Sequence, residues 1–170
     1  MAEIEARIGA FLGEYSPGIA TELEGARARL RALFPRGFEL VFNNYNALVF
    51  AYSPTPKSSQ CLLSVAGYPR WINLFFAAGV ALPDPTARLQ GSGKAIRSVR
   101  LTAARVLDEP DVRALLAAAI GRAEKSLAAA PALTTVLKGI AATRRARRPP
   151  PAAAATAPLA SPRRRPGRGR

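Results

Sequence analysis

The sequence predicts an α+β fold: an antiparallel β-sheet meander with amino-terminal and carboxy-terminal helices packed against it, followed by a disordered basic tail. Three observations carry that expectation. Up to Leu33 the apolar residues recur at helical spacing. From Phe38 onward, short β-branched and aromatic runs alternate with clusters of turn formers. Beyond Arg144 the chain is Arg, Pro and Ala with small polar residues, and Leu159 is its single large aliphatic side chain.

The elements follow in order. Ile4, Ile8, Phe11 and Leu12 share one helical face, while Glu3, Glu5, Arg7 and Glu14 lie mostly off it. Ser16 and Pro17 make a second helix start, because proline at the first helical position has no amide hydrogen to leave unpaired. That helix turns Ile19, Leu23, Ala26, Leu30 and Leu33 inward and stops at Pro35 and Gly37. "FELVF", "ALVFAY", "CLLSVA" and "WINLFFAAG" then read as strands separated by "NNYN", "SPTPKSSQ" and "GYPR". Such short connections favour antiparallel neighbours over parallel crossovers. "KAIRSVRLT" continues the ladder, with Val99 and Leu101 on one face. Asp108, Glu109 and Asp111 place negative charge at a helix start with Pro110 in its first turn. Val112, Leu115, Leu116, Ala119, Ile120, Ala123 and Leu127 follow at helical spacing, and "LTTVLKGI" reads as a closing strand.

Charge divides the chain. Residues 144–170 hold nine arginines and no acid, whereas the first 143 residues balance sixteen basic side chains against eleven acidic ones. The expectation is one α+β domain over 1–143 and a disordered tail over 144–170, since the tail has too little apolar surface to offset the entropy of ordering. Cys61 is the only cysteine, so no intrachain disulfide forms, which suits a reducing compartment. "MAEIEARIGAFLGEY" lacks the basic start and apolar core of a leader, and the longest apolar run, "LFFAAGVAL", falls short of a membrane helix. A cytoplasmic protein without membrane contact is expected.

"RLQGSGKAI" invites comparison with a phosphate-binding loop. The first glycine of G-x-x-x-x-G-K-[ST] would fall at Arg88 and the magnesium-holding hydroxyl at Ala95, so both anchors are missing. The segment is expected to be a tight reversal, with Gly91 and Gly93 at positive φ, leading into a strand.

The chain has no histidine, which removes Ser-His-Asp and Cys-His catalysis and most catalytic zinc sites. Cys61, inside "QCLLSV", reads as a small buried hydrophobe, and Asp84, between two prolines, as a turn residue. No catalytic residue, no metal ligand and no cofactor is therefore expected. The aromatics Tyr45, Tyr68 and Trp71 sit beside turns and are candidates to line a groove for a small ligand or a protein segment, with anion contacts from Lys94 or Arg97. Arg144, Arg145, Arg147, Arg148, Arg163, Arg164 and Arg165 are candidates for non-specific nucleic-acid contact through the tail.

"ELVFNNYNALVFAYSPT", "GYPRWINLFFAAGVALPDPTARLQGSGKAIRSVRL" and "LDEPDVRALL" resemble the YdhG-like domains, a large bacterial family of unknown function; the likeness spans about Pro35 to Arg148. It implies an α+β fold with helices against an antiparallel sheet, and a non-enzymatic binding or chaperone-like role. One branch of that superfamily is associated with frataxin-like iron chaperoning, which would call for clustered carboxylates. Here Glu22 and Glu24 stand two apart and do not share a helix face, and Asp108–Asp111 reads as helix capping.

Overall fold

The computed structural model describes residues 1–148; the disorder expected for the rest of the tail lies outside the described residues. Two helices open the chain, α1 (Ala2–Gly13) and α2 (Pro17–Leu33). Five strands follow: β1 (Phe38–Asn43), β2 (Leu48–Ser53), β3 (Leu63–Gly67), β4 (Ile72–Phe76) and β5 (Arg97–Leu101). Helices α3 (Pro110–Gly121) and α4 (Glu124–Ala129) lead to a last strand, β6 (Thr134–Ile140).

The fold is α+β as expected, with a six-stranded sheet in the order β5-β4-β3-β2-β1-β6. Strands β1 to β5 form the antiparallel meander, but β6 pairs parallel to β1, with a register shift between Val41 and Phe42. The reason is the connection: the chain leaves β5 at one edge, crosses behind the sheet through α3 and α4, and enters the opposite edge. A crossover with helices permits parallel pairing, which a hairpin forbids.

Alternation along the strands decides what the sheet buries. Val41, Leu48, Phe50, Tyr52, Leu63, Val65, Ile72, Leu74, Phe76, Val99 and Leu101 join Ile8, Leu23, Leu30, Leu115 and Leu116 in one core. The helices therefore cover one face only. Leu33, expected inside, is 40% exposed at the last turn of α2. The helix expected from Pro110 to Leu127 is two helices, because Arg122 and Ala123 break it. At Gly67 helix and sheet approach closely: a Cβ there would sit 2.3 Å from Leu23 Cδ2.

Candidate functional site

At one end of the sheet Tyr68, Pro69, Arg70 and Trp71 make the β3–β4 turn, closed by the Tyr68 amide donating to the Trp71 carbonyl at 2.8 Å. Trp71, Asn73 and Phe75 alternate onto the face of β4 away from the helices, and Arg100 stands opposite Asn73 on β5. The rings of Tyr68 and Trp71 stack at 5.3 Å, and the Arg100 guanidinium lies 4.9 Å from the Trp71 ring centre. Since β4 runs between β3 and β5, tyrosine and arginine flank the indole from its two sides. Trp71 remains 38% exposed between them. Two of the three expected groove aromatics are thus in contact. Tyr45, 55% exposed, sits in the neighbouring β1–β2 turn at the same end of the sheet.

Lys94 and Arg97 do not belong to that group. Arg97 begins β5 opposite Phe76, while Trp71 lies beyond the other end of that pairing, at Ile72 and Leu101. Four residues of strand, ~13 Å, separate the two ends. The glycine segment is a loop closed where Gln90 and Ser98 exchange both backbone hydrogen bonds at 2.8 Å. Gly91 has φ +123°, as expected, but Gly93 is not at positive φ. Inside the loop Arg97 Nη1 donates to the carbonyls of Gly93 and Ile96, at 2.6 and 2.8 Å. The loop turns carbonyl oxygens toward a guanidinium, the reverse of an amide cradle for phosphate.

A second polar cluster is closed rather than open. Glu39, fully buried, accepts from Arg27 Nε and Nη2 at 2.8 Å, from Arg31 Nη1, from Tyr52 at 3.1 Å and from Thr135 at 2.7 Å. Arg27 also forks onto Glu5 at 2.8 Å. Burial by itself would push the Glu39 carboxyl upward, but Arg27, Thr135 and Arg31 together hold it below the usual carboxylate value. Every lone-pair direction is engaged, so the carboxylate joins α2 to β1, β2 and β6 and has none to offer a substrate.

Residues 141–148 form a strap over the end of the sheet nearest the Tyr45 turn. Arg144 pairs with Glu14 at 3.0 Å, the Arg145 amide donates to the Tyr45 carbonyl at 2.9 Å, and Arg148 Nε donates to the Tyr15 carbonyl at 3.1 Å. Arg147 is only 3% exposed, with Nη2 donating to Asn43 Oδ1 at 3.0 Å and its guanidinium over the Tyr15 ring. The expected tail boundary at Arg144 is therefore too early: Arg144, Arg147 and Arg148 grip the body. Composition misled because one buried arginine can anchor a strap that has almost no aliphatic side chain. Arg163, Arg164 and Arg165 lie outside the described residues.

Asp84 holds its turn as expected, accepting from the amides of Arg88 and Leu89 at 2.8 Å. Cys61 is half-buried, and burial pushes its thiol pKa up. Among the described residues no three His, Cys, Asp or Glu side chains come together as metal ligands, and no helix is long and apolar enough to cross a membrane. No protein-family description, curated protein or solved structure matches the chain.

Proposed function

We propose that the chain is a non-enzymatic binding domain that receives its ligand on the face of the sheet turned away from the helices. One observation carries this reading. Phe38, Phe42, Val49, Phe75 and Val136 alternate onto that face, are only partly buried, and lie outside the core that the helices cover. The Tyr68–Trp71–Arg100 stack borders the same face. A YdhG-like relationship over 35–148 is part of the proposal, and it supports a binding or chaperone-like role. An iron-chaperone role would need a carboxylate cluster, and Asp108, Glu109 and Asp111 are already engaged by Arg29 and Arg88.

Trp71 is the only tryptophan, so its emission reports directly on the site. A thermal-shift screen of metals, metabolites, peptides and oligonucleotides, read with Trp71 fluorescence, tests the proposal. The expected result is at least one class that raises the melting temperature and changes the emission, with both effects weakened in Trp71→Ala or Arg100→Ala as appropriate to the readout. If no class does either, the face is not a binding surface.

The nine arginines of 144–170 favour a second reading, non-specific nucleic-acid contact through the tail. With Arg144, Arg147 and Arg148 turned to the body, that reading rests on the exposed Arg145 and on residues beyond 148.

A further inference from the structure

We infer that the ligand of the open sheet face is single-stranded nucleic acid, bound by stacking of its bases on Trp71 and neighbouring aromatics; this rests on the binding-face reading above. The first support is charge. All eleven acidic side chains are placed by the fold, and none falls on the open face. Glu3, Glu5, Glu14, Glu22 and Glu24 belong to α1, α2 and the joint between them. Glu39 points into the helix side. Asp108, Glu109, Asp111 and Glu124 lie at the starts of α3 and α4, and Asp84 is in the connection that Arg88 ties to Glu109 and Asp111. The exposed charges on the strands and turn around the face are cations: Arg100 on β5, Arg70 at the turn and Lys138 on the edge strand β6. A polyanion therefore meets attraction there and no opposing carboxylate.

The second support is chemistry. Few cations and many rings suit a strand with unpaired bases better than a duplex, whose base faces are hidden and whose affinity comes almost wholly from phosphates. Trp71 to Phe75 spans four residues of one strand, ~13 Å, with Asn73 between the two rings as a hydrogen-bonding group for a base edge or sugar. At the Phe75 end a hollow of about 290 Å³, lined by Ser64, Phe75 and Ile96 among others, gives room for a further base. Arg100 now occupies the β5 side of the indole. An exposed cation–π contact is weaker than base stacking, so a base displaces the guanidinium, which then pairs with the adjacent phosphate.

The test uses the full chain with oligo(dT) of about ten nucleotides, the matching duplex, and two readouts: Trp71 emission and anisotropy of a labelled oligonucleotide. The inference expects quenching of Trp71 by the single strand and not by the duplex. Trp71→Ala, followed by anisotropy, should weaken binding ~10-fold or more. Arg100→Glu, at an exposed position that leaves folding intact by circular dichroism, should weaken it and lower the magnitude of the salt slope by about 0.7. Oligonucleotide binding that leaves Trp71 emission unchanged and is indifferent to Arg100→Glu would overturn the inference and assign the interaction to the tail. No oligonucleotide binding, with Trp71 responding to another ligand class, would overturn it while leaving the binding-face proposal standing.

Discussion

Changing Glu39 to Gln removes one charge at the centre of the most connected polar cluster in the protein. The side chain is fully buried and accepts five hydrogen bonds, two from Arg27 and one each from Arg31, Tyr52 and Thr135. Glutamine keeps the shape, but its amide nitrogen must face donors, and Arg27, itself mostly buried, keeps only the half-exposed Glu5 as a counter-ion. Removing one partner of a buried pair costs ~3–5 kcal/mol. Arg31 is a third exposed, so its share is screened by water and the lower half of that range applies. At a urea dependence of about 2 kcal/mol per M, the unfolding midpoint should fall by ~1.5–2 M. Acid dependence supplies an internal control. The Glu39 carboxyl titrates lower folded than unfolded, so its stabilisation is complete above the ordinary value of 4.5 and is lost as pH falls through the folded value. Glu5 behaves the same way because Arg27 hydrogen-bonds to it. Glu39→Gln should therefore be less stable at pH 7 and lose less on acidification than the wild type. A midpoint shift below ~0.5 M at neutral pH would refute the reasoning.

Tyr15 ties the α1–α2 joint to the sheet: its hydroxyl donates to the Gly67 carbonyl at 2.6 Å and accepts the Leu48 amide at 2.9 Å. Tyr15→Phe removes both hydrogen bonds and should cost ~1–3 kcal/mol in urea unfolding. Gly67→Ala drives a methyl to 2.3 Å from Leu23 Cδ2, for a loss of ~1–3 kcal/mol. A double-mutant cycle with Leu23→Ala should show that the two changes together cost less than their sum. Gly91→Ala places a side chain at φ +123° and should cost ~1–2 kcal/mol by thermal unfolding without altering Trp71 emission, because the loop is at the far end of the sheet.

The meander was legible because each strand carries its own alternation and each turn its own chemistry: "GYPR" ends β3 and "NNYN" ends β1 without help from the rest of the chain. The parallel pairing of β6 was not, since nothing inside "LTTVLKGI" records which edge it joins; the crossover through α3 and α4 decides that. Helix length failed for a similar reason. Ile120, Ala123 and Leu127 keep helical spacing across a break, because two helices packed on one core face satisfy the same periodicity as one. The strap was illegible by composition, where arginine counts as solvent-seeking. Arg147 is buried against the Tyr15 ring with Nη2 donating to Asn43 Oδ1 and the Asn44 carbonyl. Its Nε and Nη1 are buried without a partner among the described residues, so packing and two hydrogen bonds offset only part of the lost hydration.

The absence of acids from the open face is partly ordinary, and only a second fact makes it informative. Strands disfavour Asp and Glu in general, and helix starts attract them, so some segregation follows from propensity alone. Propensity favours threonine as well as valine and phenylalanine, so it does not by itself choose apolar residues over polar ones. An antiparallel sheet with one solvated face alternates apolar-in with polar-out. Here the outward positions of the two central strands β2 and β3 include Val49, Ala51 and Ala66, those of β1 are Phe38, Leu40 and Phe42, and β4 adds Phe75. Ser64 and Asn73 are the polar members among these strands, apart from Ser53 at the end of β2. Leu40, Ala51 and Ala66 on this face are buried and stand outside the core that the helices share. Threonine and lysine would satisfy strand geometry at those positions and keep the face wet. A face that instead stays apolar and aromatic, with cations only at its edges, has the composition of a surface that is covered in use.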